Sequence, residues 1–205
     1  MTAFAAEIKR GRKYSQVIDG AREIFMRDGY EGASVDDIAR AASVSKATLY
    51  SYFNDKRLLF SEVARIECNR QAEAAIDKIG AHDTVEDALH EAANLLVRFF
   101  LSEFGKQVYR ICVAEADRFP ELGKSFYVSG PQLARERLTE VLRPFVARGD
   151  LTIDDLDLAA GQFNELCKTD LFMRALCGVE TEFDDIRIAR VANGAVDMFL
   201  ARYRT

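Results

Sequence analysis

Between Ser34 and Phe53 the chain concentrates side chains that can read a polar surface: Ser34, Ser45, Lys46, Thr48, Tyr50, Ser51 and Tyr52. Hydroxyls, phenols and an ammonium at this density match phosphate oxygens and base edges, which offer hydrogen-bonding groups in fixed array. They do not amount to catalytic machinery. The two histidines, His82 and His90, lie eight residues apart in a polar region. That is about two helical turns, too far for one shared metal ion. No glycine-rich phosphate loop, nucleophile motif or paired-carboxylate cluster stands out. No catalytic residue, metal ligand or cofactor is therefore expected.

The spacing around these residues predicts the elements that hold them. Ser34 caps a helix, with Asp37 three residues on completing a capping box. Val35, Ile38, Ala39 and Ala42 give that helix an apolar side. Ser43 and Val44 form a turn, Ser45 is a second cap, and Lys46 to Phe53 form a second helix with Leu49 and Phe53 facing inward. So short a helix needs a neighbour to pack on. This is the logic of a helix-turn-helix, whose second helix enters the DNA major groove. Upstream, Tyr14 to Asp28 carries the stripe Val17, Ala21, Ile24 and Phe25, and Gly29 is placed to end it with Tyr30 folding back. The predicted core of this three-helix unit is completed by Tyr30, Ile38, Ala42, Val44, Leu49 and Phe53. Asn54 and Asp55 cap a longer helix from Lys56 to about Ile79, and Lys56 at its positive N-terminus suits a phosphate.

Composition agrees with this reading. Of 205 residues 49% are apolar, enough for a sizeable core, and only three are proline. Strand-like alternation is absent. No signal peptide and no bilayer-length apolar run is recognisable, so a cytoplasmic location and no membrane partner are expected. Cys68, Cys112, Cys167 and Cys177 lack metal-ligand spacing and read as buried reduced thiols, with a redox switch as the alternative. The net charge of −5 hides an asymmetry: residues 1–57 hold ten Lys/Arg against eight Asp/Glu, and the rest eighteen against twenty-five. Phosphate contact therefore belongs to the N-terminal end. Lys9, Arg10, Arg12 and Lys13 form a basic arm that either reaches DNA or is a solvated terminus.

Beyond Gly80 the pattern predicts helices from Val85 to Phe104, Lys106 to Arg118, a short one through Phe126 and Tyr127 interrupted at Gly130-Pro131, and Gln132 to Ala147 kinked or ended at Pro144. Ile153 to Cys177 and Phe183 to Tyr203 follow. Phe100, Phe104, Tyr109, Phe126, Tyr127 and Phe163 are candidate lining for a small-molecule pocket, the alternative being plain core. Arg98, Arg110, Glu115 and Asn164 either orient such a ligand or lie on a solvated face. The last two helices, through Phe163, Leu166, Ala192, Val196 and Phe199, are expected to form a homodimer interface as a four-helix bundle, rather than only to complete the monomer core.

Gly29-Tyr30, Ser34 to Ala42, and Val44 to Phe53 with Lys56 resemble the TetR family of transcriptional regulators over residues 12 to 60. The run Glu115 to Leu122, with Phe126-Tyr127 and Gly130-Pro131, resembles its AefR-like members. The resemblance implies an all-α chain: an N-terminal three-helix DNA-binding unit with helix-turn-helix (residues 1–57) plus a larger helical C-terminal ligand-binding and dimerisation domain (58–205). It implies Lys46, Ala47, Thr48 and Ser51 facing bases, with Ser34, Tyr50, Tyr52 and Lys56 on phosphates. Ser43 and Ala47 depart from the glycines frequent at those positions, and Ser43 has to adopt a positive φ. The implied function is a repressor that binds a palindromic operator in double-stranded DNA as a homodimer, and that a small apolar or amphipathic effector releases. The alternative is a helical DNA-binding adaptor or architectural protein without an effector.

Overall fold

Helices occupy most of residues 11–205, the residues described by the computed structural model. Lys9 and Arg10 of the basic arm lie outside them. The order is α1 (Arg12–Gly32), α2 (Val35–Ala41), α3 (Lys46–Tyr52), α4 (Lys56–Ile79), α5 (Val85–Leu101), α6 (Glu103–Ala114), α7 (Pro120–Tyr127), α8 (Leu133–Arg148), α9 (Leu156–Leu166), α10 (Leu171–Leu176) and α11 (Asp185–Tyr203). Among the described residues there is no strand, only a bridge between Leu151 and Arg204, and no helix long and apolar enough to cross a membrane.

Two apolar cores form. The first gathers Val17, Ile24 and Phe25 of α1, Ile38 of α2, Leu49 of α3 and Phe60 of α4, then continues into Val108 and Cys112 of α6 and Leu122 of α7. The three-helix unit is thus roofed by α4 and seated on α6 and α7, so its core runs past residue 57. α1 and α2 touch backbone to backbone: a Cβ on Gly20 would stand 2.5 Å from the Ala42 nitrogen. Gly29 takes the expected positive φ, at 70°, but kinks α1 instead of ending it, and the helix runs on to Gly32. The Tyr30 ring then returns to stack on Phe25 at 6.1 Å and meets Phe60 edge-on at 5.1 Å.

The second core joins Leu89 and Val97 of α5, Leu142 of α8, Phe163 of α9 and Val196 and Phe199 of α11. It corrects the expected dimer interface. Phe163, Ala192 and Val196 are 0% exposed and Phe199 2%, with Phe163 and Phe199 edge-to-face at 5.3 Å. Side chains enclosed by their own chain have no surface left for a second copy; only Leu166 keeps partial exposure. Other boundaries move as well. α5 ends at Leu101, because Ser102 caps α6 by accepting from the Gly105 N–H at 3.0 Å. Phe104 consequently joins α6. Gly130-Pro131 does not interrupt the chain: residues Val128–Gln132 widen into a π-helical turn that joins α7 to α8, and such a turn tolerates a proline without an N–H. α8 runs past Pro144 to Gly149, which closes it at φ 82°. The stretch expected as one helix from Ile153 is two, broken where Asp170 takes φ 61°. Cys68, Cys112 and Cys167 are buried as expected, and Cys177 is exposed; burial pushes the three enclosed thiols up to about 12.

One ionic cluster ties α1 to α4. Glu67 is 2% exposed and accepts from Arg22 at 2.8 Å, Arg70 at 2.6 Å and Gln71 at 2.9 Å. Burial alone raises its pKa, but the hydrogen bonds from Arg70, Arg22 and Gln71 outweigh burial and hold it at about 2, below the ordinary 4.5. A carboxylate with a depressed folded value stabilises the fold above its unfolded value and loses that contribution as pH falls. Glu67→Gln should therefore be less stable than wild type at neutral pH. Its further loss between pH 4.5 and about 2 should be shallower than wild type's. Urea midpoints across a pH series read this directly; parallel curves would remove the cluster from the stability account.

Candidate nucleic-acid interface and the cavity behind it

α2 starts on a reciprocal cap. Ser34 Oγ accepts from the Asp37 N–H at 3.0 Å and donates to the Asp37 carboxylate at 2.5 Å. The Ser34 hydroxyl, then Arg40, hold Asp37 below its usual range. At the other end Val44 N–H reaches Ala39 O at 3.0 Å and Ser43 N–H reaches Arg40 O at 3.1 Å. This is the Schellman arrangement, with Ser43 as its left-handed residue at φ 51°. The positive φ expected of Ser43 is thus present, and it sets the angle between α2 and α3.

α3 is capped by Ser45, whose Oγ accepts from Thr48 N–H at 3.1 Å and lies 2.9 Å from Thr48 Oγ1. Leu49 and Phe53 are buried, and this burial orients the rest outward. Lys46, Ala47, Tyr50 and Ser51 are exposed, Thr48 and Tyr52 partly so. Lys46 makes an exposed ion pair with Asp36 of α2 at 2.5 Å. Ser51 Oγ donates to Thr48 O at 2.6 Å. Tyr52 packs edge-on against Tyr14 at 5.9 Å.

Lys56 occupies a different setting from its neighbours. Its ammonium donates to Tyr30 O at 2.8 Å and Ala33 O at 3.1 Å and lies 4.3 Å from the Tyr30 ring centroid. Two of its three hydrogens therefore hold the end of α1 against the start of α4, and one is left for solvent or a phosphate. Next to it Arg57 bonds Asp55 at 2.7 Å, reaches Glu115 at the end of α6 at 2.7 Å, and stacks on Phe119 at 4.5 Å. Arg57 holds the Asp55 carboxyl below its usual range.

Behind this interface lies a cavity of about 1070 Å³, lined from each of the helices α4 to α11 and from the π-helical turn. Four of the expected lining residues, Phe100, Tyr109, Phe126 and Tyr127, are in its wall. Phe104 and Phe163 are not: Phe104 packs against the first core, and Phe163 is enclosed in the second. Periodicity marks both as apolar and is silent on which apolar neighbour they meet. Phe99 and Phe172 line the cavity in their place; Phe172 was hidden by the expected single helix. Of the polar candidates only Asn164 lines it. Arg98 pairs with Asp185, Arg110 donates to Ala175 O and Leu176 O, and Glu115 holds Arg57.

Residues 17–63 match the family model "Bacterial regulatory proteins, tetR family" and residues 87–205 match "AefR-like transcriptional repressor, C-terminal domain". The chain belongs to the TetR family. Its members are DNA-binding transcriptional regulators rather than enzymes. Among solved structures the TetR-family fold is matched by a regulator from Mesorhizobium loti at TM-score 0.82, with 26% identity over 97% of this chain and 100% of that one. The flavonoid-responsive regulator FrrA follows at TM-score 0.68, with 31% identity over 95% of this chain and 98% of that one. The repressor AcnR of Corynebacterium glutamicum is 36% identical over 69 residues, which is 34% of this chain and 37% of AcnR. That match spans little more than a third of the relative's length.

The turn geometry carries a direct test. A serine held at φ 51° bears a left-handed strain that glycine escapes. Ser43→Gly should stabilise the chain by about 1 kcal/mol, raising the melting temperature by about 2–4 °C for a chain of this size. A lower melting temperature would count against the strained turn.

Proposed function

We propose that this TetR-family protein is a homodimeric repressor that grips a palindromic operator through α3 and lets go when a small apolar or amphipathic molecule fills the cavity. Residues 1–57 act as the reading part and 58–205 as the sensing and pairing part. Lys46, Ala47, Thr48 and Ser51 approach base edges. Ser34, Ser45, Tyr50 and Tyr52 lie against phosphates, with the remaining hydrogen of Lys56.

The observation that carries this reading is α4. Its first residues grip the helix-turn-helix through Lys56 and Arg57, and Cys68, Gln71, Ala75 and Ile79 farther along line the cavity. Gln71 is also hydrogen-bonded to Glu67, which binds Arg22 of α1. One rigid element therefore touches both sites, and a molecule in the cavity bears on it directly. A differential affinity for two α4 positions shifts the population between them. A coupling of about 1–3 kcal/mol changes operator affinity roughly 5–150-fold. The cavity also favours this reading over an adaptor without an effector, for which a filled core is the natural design. That FrrA is flavonoid-responsive supports an effector role for the corresponding space.

The pairing surface is the outer stripe of α9 and α11, not their buried faces. Leu158 and Met198 are 55% and 62% exposed, and Gln162, Gly194 and Arg202 continue the stripe at helical spacing; Leu158, Gln162, Met198 and Arg202 also edge the cavity, so a partner would cover part of its rim. Gly194 has open space where a Cβ would stand, so a partner helix can approach closely.

Selection of bound sites from random duplexes tests the reading part. Enriched sites should be two-fold symmetric. Lys46→Ala should flatten the ranking of sites, whereas Lys56→Ala should lower affinity for all duplexes together and also lower the melting temperature, because it frees Tyr30 O and Ala33 O. An unaltered ranking with Lys46→Ala would remove α3 as the reading helix. For the pairing surface, Met198→Glu should give a monomer by light scattering while leaving the helical content intact; a persistent dimer would place the interface elsewhere.

A further inference from the structure

We propose that the cavity takes a planar aromatic compound bearing a hydroxyl group, and that Asn164 is the residue that reads that hydroxyl. The inference rests on the effector reading above and adds the chemistry of the ligand.

Five rings form one continuous wall. Phe99 meets Phe100 at 5.8 Å, Phe100 meets Phe172 at 5.5 Å, Phe172 meets Tyr109 at 5.2 Å, and Tyr109 meets Phe126 at 6.0 Å. All five line the cavity. Their planes cross at 51–89°, so faces and edges alternate along the wall. A flat aromatic molecule continues that series with edge-to-face contacts, which an acyl chain of equal area cannot make.

Asn164 stands in the same cavity at 7% exposure. Its Oδ1 is enclosed and has no hydrogen-bond partner. Buried amides are ordinarily paired, and an unpaired one is costly. A hydroxyl both donates and accepts, so it satisfies the amide in either of its two orientations.

Arg135, Arg137 and Lys168 also contribute to the lining, beside Asp157 at 2.9 Å, Glu140 at 2.9 Å and Glu165 at 2.6 Å respectively. The Nε atoms of Arg135 and Arg137 are enclosed without a hydrogen-bond partner, so the polar side of this wall also carries N–H donors that a ligand oxygen suits.

The test uses the purified full chain and three probes: the hydroxylated flavone apigenin, unsubstituted flavone, and oleate, each followed by calorimetric titration and thermal shift. Apigenin, which carries three hydroxyls, is expected to bind at least about tenfold more tightly than flavone, the contribution of one hydrogen bond to a buried group. Oleate should bind more weakly than either. Asn164→Leu keeps the volume and removes the amide; it should bring the apigenin-to-flavone ratio close to one while leaving flavone binding nearly unchanged. If that variant does not fold, the wild-type ratio still decides. Equal binding of the two flavones, or binding of oleate alone, overturns the proposal and leaves the cavity as an effector site. Binding of none of the three overturns the effector reading along with it.

Discussion

A seven-residue helix has too few internal hydrogen bonds to hold its shape in water, and α3 is seven residues long. Everything that holds its shape is borrowed. Leu49 and Phe53 fix one side in the first core, Ser45 supplies the N-terminal bonds, and the Schellman turn at Ser43 sets the approach from α2. The strain tolerated at Ser43 has a structural return. The left-handed residue closes two carbonyls of α2 and turns the chain within a single residue, so the polar face of α3 is presented at a fixed angle. A longer or looser connection would leave that angle to thermal motion.

The support of α3 is in turn held by α4. Lys56 acts as a staple: by donating to Tyr30 O and Ala33 O it satisfies carbonyls at the kinked end of α1, where regular helical bonding has stopped. A lysine at this position therefore has a fold-level reason to be there besides any phosphate. The same holds for Arg57, which the chain uses to join the N-terminal unit to α6 through Glu115 and Phe119. These contacts are polar, partly exposed and few. Such pairs are individually weak, which suits the proposed movement of α4 between two positions.

Much of this was legible in the residues. The caps Ser34, Ser45 and Asp55, the positive φ at Gly29 and Ser43, and the inward Leu49 and Phe53 are local properties, decided within a few positions of chain. What sequence could not settle was tertiary. The apolar stripe of α11 through Ala192, Val196 and Phe199 is genuine, but periodicity says only that a face is buried, not whether its own chain or a second copy covers it. Phe104 and Phe163 failed as cavity residues for the same reason. The break at Asp170 was invisible because apolar spacing runs on through Leu171 and Phe172, while the interruption is made by one backbone angle. Gly130-Pro131 misled in the opposite direction: a widened turn lets the chain keep its helical course where the dipeptide normally stops it.

On the proposed mechanism, the length of α4 explains why modest chemistry in the cavity would suffice. Twenty-four residues at about 1.5 Å each make a rod roughly 36 Å long. Held near its cavity end, such a rod swings its other end by roughly 3 Å for a tilt of about 5°. In the proposed dimer the two swings add, against recognition helices that would have to sit about 34 Å apart to meet successive major grooves. A misfit of that order breaks several base and phosphate contacts at once, because hydrogen bonds fail within a few tenths of an ångström of their limit. Under the proposed function, side-chain rearrangement around one buried amide and a wall of rings is therefore enough: the cavity need only prefer one tilt, and the rod would convert a small preference into a geometric mismatch on DNA.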